Sequence, residues 1–459
     1  MKKNKSWSLR VFSQSPILLI AIAIIGFLIS LVFFYPGYRS PDSEWQLCQA
    51  VGDCMLNNWH PVSMALSWKA LISLTGGFVP AMLIFQLLMF WAGVLLVSFW
   101  VWRKTGKWQL AILPLLLGFL PNIFNIIGVI WKDIQMASAL LLGTGIILNT
   151  HDKNKWIRIF GIVTTLGLLV YAVSVRSNAI AAVLPLVVLF VFCYKWPEKY
   201  YQKILIIITV CSALVLVNPL LNRLYQPEYG PSSSTMYAYD IVNILPASRV
   251  ATEAPENIRG ALLAFSSCSL GNLQRTNLAF WACIDQEEVK KVFDEEGVFE
   301  LKSYWRQTVT QYPLQYIAQK IETYAQFVFS GDGQSIWTDG GEVFSSEGSF
   351  SREQSFLSKS LRSVNYGYTI DFGYKYFPFL FKPWFWLLAA GAIMICSRGL
   401  KRYKKWVYGL STSAIIYILS YAPGSLTPDY RYIYWSVIAV LVAGIIVLVS
   451  RNKRGTTKG

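Results

Sequence analysis

The sequence contains few of the residues on which most soluble enzymes depend for catalysis. Only two histidines, His60 and His151, occur among its 459 residues, and no spacing of His and Cys resembles that of a zinc site. The chain also has no Gly-rich nucleotide loop, Walker motif or serine nucleophile elbow. We therefore expect no metal, no cofactor and no cytosolic nucleotide-linked substrate.

Charged residues are scarce as well. They make up 14% of the chain, whereas 54% of the residues are hydrophobic. This composition leaves too few charges for an ordinary soluble surface and too many apolar residues for a single core. The sequence predicts a polytopic membrane protein.

The net charge of +16 is concentrated in a few short segments. Of the 41 lysines and arginines, 22 lie near the termini or within 103–107, 153–158, 195–203 and 398–405, accompanied only by Asp152 and Glu198. Cytoplasmic loops of membrane proteins collect cations in this way. The basicity therefore indicates topology and some attraction to anionic lipids, and it does not indicate nucleic-acid binding.

Apolar runs of about 16 to 25 residues match the length that crosses roughly 30 Å of hydrocarbon. We predict an all-α protein with about ten transmembrane helices and both termini in the cytoplasm, the first helix being an uncleaved signal anchor. The predicted spans are 16–35, 79–102, 109–129, 134–150, 159–175, 178–194, 204–220, 383–397, 406–422 and 433–450.

Two segments are too polar to cross the bilayer and are predicted to lie outside the cytoplasm. Segment 36–78 begins with charged residues and continues into an amphipathic stretch typical of a helix in the membrane interface. Segment 221–382 predicts a mainly helical extracytoplasmic domain, in which Tyr312-Pro313 separates two helices. The expected organisation is a membrane module at 1–220, this domain, and a second membrane module at 383–459.

Cysteine placement agrees with this layout. Cys48 and Cys54 fall in the first outer segment, and Cys268 and Cys283 fall in the second. In an oxidising compartment two local disulfides would be a sensible framework, and four unpaired thiols are the alternative.

A sparse set of charged residues remains in the short loops opposite the basic ones. Because these residues serve no topological purpose, they predict a polar site at the outer membrane face. They are Arg39, Asp42, Glu44, Asp53, Lys132, Asp133, Arg176, Asp429 and Arg431.

Several short motifs resemble segments of the bacterial GT-C glycosyltransferases. They are SPDSEWQ followed by NWHPVSMALSW, then VIWKDIQMA, SVRSNAIAAVLP, YWRQTVTQYPLQYIAQKIE and PDYRYIYW. The order of one span, an acidic first outer loop, many further spans and a late outer domain is also similar. The resemblance implies an enzyme that takes a sugar from a polyprenyl-phosphate carrier and places it on an extracytoplasmic acceptor. The commonest family pattern has adjacent acids in the first loop, whereas this chain has Asp42-Ser43-Glu44.

Such a transfer needs a base for the acceptor hydroxyl, and a carboxylate near the reaction centre can serve. Asp42 is the first candidate and Glu44 the second. If residues 42–44 are extended, the two carboxylates point the same way. The alternative is that both are solvated loop acids.

A leaving phosphate needs cations. Lys132, Arg176 and Arg431 are the candidates, with Arg39 and Lys69 behind them; the alternative for each is snorkelling to lipid headgroups. Asp133 and Asp429 are expected to orient these cations. Asn178 is either a polar contact or a helix cap. His60 is a candidate ligand for sugar or phosphate, whereas its neighbour Trp59 is interpreted as a membrane-interface residue.

We expect a glycosyltransferase of the bacterial cytoplasmic membrane that acts on a cell-surface glycan such as O-antigen, with a protein acceptor less favoured. Two alternatives remain: a polysaccharide polymerase or ligase with a diphosphate-linked donor, and a noncatalytic lipid-linked sugar transporter. A transporter is expected to show repeat symmetry and polar residues at the bilayer midplane, and neither is apparent.

Overall fold

The computed structural model describes residues 16–194, 199–228, 230, 233–267, 295–330, 356–400, 403–424 and 429–452. Within these residues the chain is helical and forms no strand, apart from two isolated bridges. The predicted all-α fold is therefore confirmed for the described part of the chain.

The described residues of the first half form six long α-helices and several shorter ones. They are α1 (Pro16–Phe34), α2 (Pro41–Val51), α3 (Ser63–Leu74), α4 (Ala81–Thr105), α5 (Lys132–Thr150), α6 (Lys155–Val175), α7 (Ala179–Cys193), α8 (Tyr200–Val215) and α9 (Val217–Tyr225).

The described residues of the second half form nine further α-helices. They are α10 (Ser234–Ile244), α11 (Ala247–Glu253), α12 (Glu256–Ser267), α13 (Glu295–Gln311), α14 (Pro313–Ala325), α15 (Phe356–Tyr366), α16 (Pro383–Cys396), α17 (Lys404–Leu419) and α18 (Tyr434–Asn452). The boundary between α13 and α14 confirms the helix break predicted at Tyr312-Pro313.

Five helical segments of the described chain are long and apolar enough to cross a membrane. They are α1, α4, α6, the continuous stretch Tyr200–Tyr225 and the segment Tyr430–Arg451. Shorter apolar helices occur at Trp108–Phe119, Ala179–Cys193 and Pro383–Cys396. The chain is thus a multi-pass membrane protein, and its total of ten spans stays a prediction.

The span predicted at 109–129 is wrong as a continuous helix. The chain there forms short turns at Trp108–Ala111, Leu113–Leu116, Leu117–Phe119 and Pro121–Phe124, followed by an irregular stretch. Pro121 forces Leu120 into an extended conformation, with ψ of 136°. The helix consequently stops before Pro121, although the hydrophobicity of residues 109–129 favours a continuous span.

The irregular stretch at 125–131 is held by hydrogen bonds from neighbouring elements. The buried Gln86 amide donates to the carbonyls of Ile127 and Val129, at 2.6 and 3.0 Å. The Ser43 hydroxyl donates to the Ile130 carbonyl at 2.5 Å. Irregular backbone at membrane depth requires such internal partners. This stretch leads directly into Lys132, the first residue of α5.

The membrane core centres on the packing of α4 against α5. At Gly93 of α4, a Cβ atom would lie 2.8 Å from the side chain of Leu141, and at Gly145 of α5 it would lie 2.8 Å from Leu96. These glycines let the two helix backbones approach closely, as small residues do in membrane helix pairs. The close pair fixes the position of Lys132 and Asp133 at the start of α5.

A second apolar cluster lies in the segment predicted to be the outer domain. It joins α10, α11, α12 and α13 through buried side chains such as Tyr239, Ile258, Leu262 and Leu301. Near the end of α14, Tyr324 donates to the Ile418 carbonyl of α17 at 3.2 Å, and Phe327, just beyond α14, packs against Tyr421 with ring centroids 5.4 Å apart. This segment therefore contacts the membrane helices directly.

Candidate functional site

The loop that follows α1 places its two acids in a helix. Ser40 caps α2 by accepting a hydrogen bond from the Ser43 amide, and Pro41 occupies the first helical turn. Residues 42–44 are therefore helical, so the condition under which the two carboxylates would point the same way is not met. Residues two apart on a helix face different directions, so Asp42 and Glu44 meet different partners.

Asp42 lies between two residues that are distant in sequence. Nη1 of Arg431 donates to Oδ2 of Asp42 at 3.0 Å, and Nε2 of His60 lies 3.5 Å from Oδ1. The Asp42 side chain stays 26% exposed and that of Arg431 16%. A carboxylate and a guanidinium thus meet at a place that a ligand can reach.

His60 connects Asp42 to Lys132. Nζ of Lys132 lies 2.7 Å from Nδ1 of His60. An ammonium group donates hydrogen bonds only, so Nδ1 must accept, and the proton of the neutral ring then resides on Nε2, which faces Asp42. Lys132 therefore fixes the His60 tautomer that hydrogen-bonds to the carboxylate.

Arg431 is positioned by the chain just before α18. Its Nε lies 2.7 Å from Oδ2 of Asp429, whose Oδ1 also accepts from the Arg431 backbone amide at 3.0 Å. The guanidinium carbon lies 4.7 Å from the ring centroid of Trp131 and 5.4 Å from that of Tyr432. Asp429 and the two rings fix the direction of the guanidinium.

A second ion pair lies close by and is more deeply buried. Nη1 of Arg176 donates to Oδ2 of Asp133 at 2.7 Å, and the exposed fractions of the two side chains are 8% and 1%. Nη2 of Arg176 donates to the Tyr421 hydroxyl at 2.7 Å. The Asn178 side chain does not cap α7, and it interacts with the Tyr421 hydroxyl. Asn178 is therefore a polar contact.

These residues form one cluster with two halves. We call Asp42, His60, Lys132 and Arg431 the open half, and Asp133, Arg176 and Tyr421 the closed half. The Tyr432 ring joins them, since it lies under Arg431 and 5.0 Å from the Arg176 guanidinium carbon.

Glu44 has a different partner from Asp42. Its carboxylate forms a salt bridge with Nε of Arg39 at 3.0 Å. Lys69 lies exposed on α3, and Asp53 is an exposed loop acid. Trp59 lies partly buried beside His60.

The surroundings of Asp42 and Glu44 shift the pKa values of these two carboxylates in opposite directions. Burial alone would raise the pKa of Asp42, but the Arg431 charge and the His60 hydrogen bond outweigh it and hold the pKa well below its usual range. Burial raises the pKa of Glu44, although Arg39 acts in the opposite direction. Burial and the Lys132 charge both lower the pKa of His60. At neutral pH, Asp42 is ionised and His60 is neutral.

The aromatic part of the cluster is absent from the sequence-based prediction. Trp131, Tyr421 and Tyr432 contact the two arginines, and the rings of Tyr421 and Tyr432 stack with centroids 4.9 Å apart. Trp131 and Tyr432 each adjoin a predicted cation in sequence, and this was the available signal. This signal is not specific, because aromatic residues near span ends usually indicate a membrane interface.

The disulfide predicted in the first outer segment is present between Cys48 and Cys54. It lies at the end of α2 and ties that helix to the loop leading toward His60. The predicted pair Cys268 and Cys283 lies outside the described residues. Among described residues, no group of three or more His, Cys, Asp or Glu side chains is placed to hold a metal ion.

Comparison with known proteins gave structural matches alone. The chain matches no protein-family model and no curated protein. A similar structure is oligosaccharyltransferase AglB of Archaeoglobus fulgidus in complex with an inhibitory peptide and a dolichol-phosphate. It has 12% sequence identity and a TM-score of 0.39, with 94% of this chain and 50% of AglB covered. The chain thus spans about half the length of AglB.

Another similar structure is ArnT of Cupriavidus metallidurans bound to undecaprenyl phosphate. The sequence identity is 12% and the TM-score is 0.32, with 99% of this chain and 79% of ArnT covered.

Proposed function

We propose that this protein is a GT-C-type glycosyltransferase. It transfers a sugar from a polyprenyl-phosphate-linked donor to an extracytoplasmic acceptor, which we propose to be a cell-surface glycan such as O-antigen. The proposed location is the bacterial cytoplasmic membrane, with the open half of the cluster at its outer face.

The observation that carries this proposal is the position of Asp42. Its carboxylate lies between an accessible arginine and a neutral histidine whose tautomer is fixed by a lysine. Four residues from four separate segments converge there. A purely structural ion pair would need only two residues. Such a group of perturbed, partly accessible residues is typical of a catalytic site.

Arg431 and Lys132 would bind the donor phosphate. Arg431 offers a planar fork of donors, and Lys132 offers a compact charge. Both stabilise the negative charge that develops on the phosphate oxygens as the bond to the anomeric carbon breaks. The acceptor oxygen forms the new bond to that carbon, its proton passes to Asp42, and polyprenyl phosphate leaves.

Donor binding would also make Asp42 a better base. In the free site, the Arg431 charge contributes to the low pKa of Asp42. A bound phosphate neutralises part of that charge, so the pKa of Asp42 rises toward the range in which a carboxylate accepts a proton efficiently. Proton transfer is then favoured only when the donor is in place.

The remaining predicted residues would have supporting roles. Asp429 orients Arg431, and the closed half fixes the Tyr432 ring beneath Arg431. Glu44 and Arg39 are proposed to bind acceptor hydroxyls, with Glu44 as the second candidate base. Segment 221–382 is proposed to be the domain that binds the acceptor.

The proposed topology has a direct test. A reporter fused after Lys458 should be cytoplasmic, and one inserted at Gly340 should be outside. The reverse result would contradict the orientation of the chain.

The proposed activity is tested by sugar transfer from a radiolabelled polyprenyl-phosphate-sugar pool in membranes that contain the protein. Asp42→Asn should abolish transfer at an unchanged protein level. Asp53→Asn is the matched control, because Asp53 is an exposed acid of the same outer segment. No transfer by the unmodified protein from any such pool would reject the donor class.

A further inference from the structure

A groove of about 670 Å³ opens between α5, α6, α7 and α8, away from the cluster. It exists because α8 packs loosely; in this helix, which the structure describes in full, Leu214 is the one buried side chain. The volume lies within the range of about 300–1,000 Å³ that is common for ligand sites.

The long walls of the groove are apolar. Ile162, Leu166, Leu169, Val187 and Ile206 contribute to them. Water finds too few hydrogen-bond partners against such walls. In a bilayer, a hydrocarbon chain is the occupant that this lining favours.

One end of the groove is cationic. Lys155 and Arg158, both in the first turn of α6, line that end together with Tyr194. Neither cation forms an ion pair with a carboxylate of the described residues. Asp152, the acid nearest to them in sequence, pairs instead with Lys104 at 2.9 Å. Two positive charges at the mouth of an apolar groove complement a lipid that has an anionic headgroup.

This end is remote from the candidate site. Lys155 begins α6, whereas Arg176 follows its last residue. A helix of 21 residues is about 30 Å long, since each residue adds about 1.5 Å. The groove therefore offers its cations at the predicted cytoplasmic face, and the cluster lies at the opposite face.

We propose that the groove binds an anionic phospholipid of the cytoplasmic leaflet. The phosphate lies between Lys155 and Arg158, and an acyl chain runs along the apolar walls toward the bilayer centre. The lipid fills the gap between α6 and α8 and stabilises the loosely packed α8. This proposal is independent of the proposed enzymatic activity.

Native mass spectrometry of the purified protein tests the proposal by titration with phosphatidylglycerol or phosphatidylcholine. The unmodified protein should bind phosphatidylglycerol about 30-fold more tightly than phosphatidylcholine, because each of the two cations contributes about 1 kcal/mol of attraction to an anionic headgroup. The double variant Lys155→Ala/Arg158→Ala should lose this preference.

Two further variants make the test specific. Lys153→Ala/Lys199→Ala removes two exposed cations outside the groove lining and should keep the preference. Leu166→Trp narrows the groove without a change of charge and should weaken binding of both phospholipids. Equal preference in the unmodified protein and in the Lys155/Arg158 variant would overturn the proposal. Stronger binding of undecaprenyl phosphate than of phosphatidylglycerol, lost in that variant, would also overturn it by assigning the groove to the donor lipid.

Discussion

The two halves of the cluster use the same chemistry under different degrees of burial. Each half pairs an aspartate with an arginine, at 3.0 Å for Asp42 with Arg431 and at 2.7 Å for Asp133 with Arg176. Asp42 is 26% exposed, whereas Asp133 is 1% exposed. A substrate can compete for the first pair but not for the second. We infer that the open half performs the reaction and that the closed half holds the structure around it.

The largest difference between the halves should appear in stability. Asp133→Asn leaves the buried Arg176 without its carboxylate, which costs about 3–5 kcal/mol of unfolding free energy for a buried pair. Asp42→Asn should cost less, because its pair is partly exposed and Arg431 keeps Asp429 as a partner. Thermal unfolding of the purified variants measures both. An equal loss in the two variants would remove the distinction between the halves.

Donor affinity should depend on the open half. Arg431→Ala or Lys132→Ala should raise KM for the donor by about 10- to 100-fold, because a hydrogen bond to a charged group contributes about 1.5–3 kcal/mol. KM for the acceptor should change little. Steady-state kinetics with each substrate varied in turn measures the two effects, and unchanged donor dependence would reject the phosphate site.

The lowered pKa of His60 predicts how stability and activity depend on pH. The folded-state pKa of His60 lies below its usual value of about 6.5. Between these two values the unfolded chain binds the proton and the folded chain does not, so stability falls as the pH drops through that window. Activity should also persist down to about pH 6.5 and decline only below it. Asp42 titrates at lower pH still.

The pH profile of kcat/KM for the unmodified protein and for His60→Asn checks this expectation. The variant should lack the acidic decline that His60 causes. A decline centred at or above about pH 6.5 that His60→Asn removes would contradict the lowered pKa.

Glu44 should show the smallest effect. Its ion pair with Arg39 is partly exposed, and such pairs contribute at most about 1 kcal/mol. Glu44→Gln should therefore reduce transfer no more than about fivefold. If Glu44→Gln abolished transfer while Asp42→Asn retained it, Glu44 would be the base.

Much of the candidate site could be predicted from the sequence. Charged residues at the predicted outer ends of spans have no topological role, and this argument predicts Asp42, Lys132, Arg176 and Arg431 as site residues. The pairing could not be predicted. Asp42 and Arg431 are 389 residues apart in the chain, and only the packing of α2, α5 and α18 brings them together.

Other features depended on local details that hydrophobicity does not reveal. The Ser40 cap starts the helix of residues 41–51. In this helix, the side chains of Asp42 and Glu44 point in different directions. The predicted span at 109–129 fails because Pro121 interrupts it and Gln86 satisfies the irregular backbone beyond. Trp131 and Tyr432 have an ordinary interface composition, and only their stacking on arginine distinguishes them.

The most direct test of the account compares catalysis with donor binding in Asp42→Asn. A base contributes about 10²- to 10⁴-fold to the rate, so kcat for sugar transfer should fall at least about 100-fold. The Kd for the polyprenyl-phosphate donor should stay within about threefold, because Arg431 and Lys132 remain. An unchanged kcat at this donor affinity would show that Asp42 is not the base.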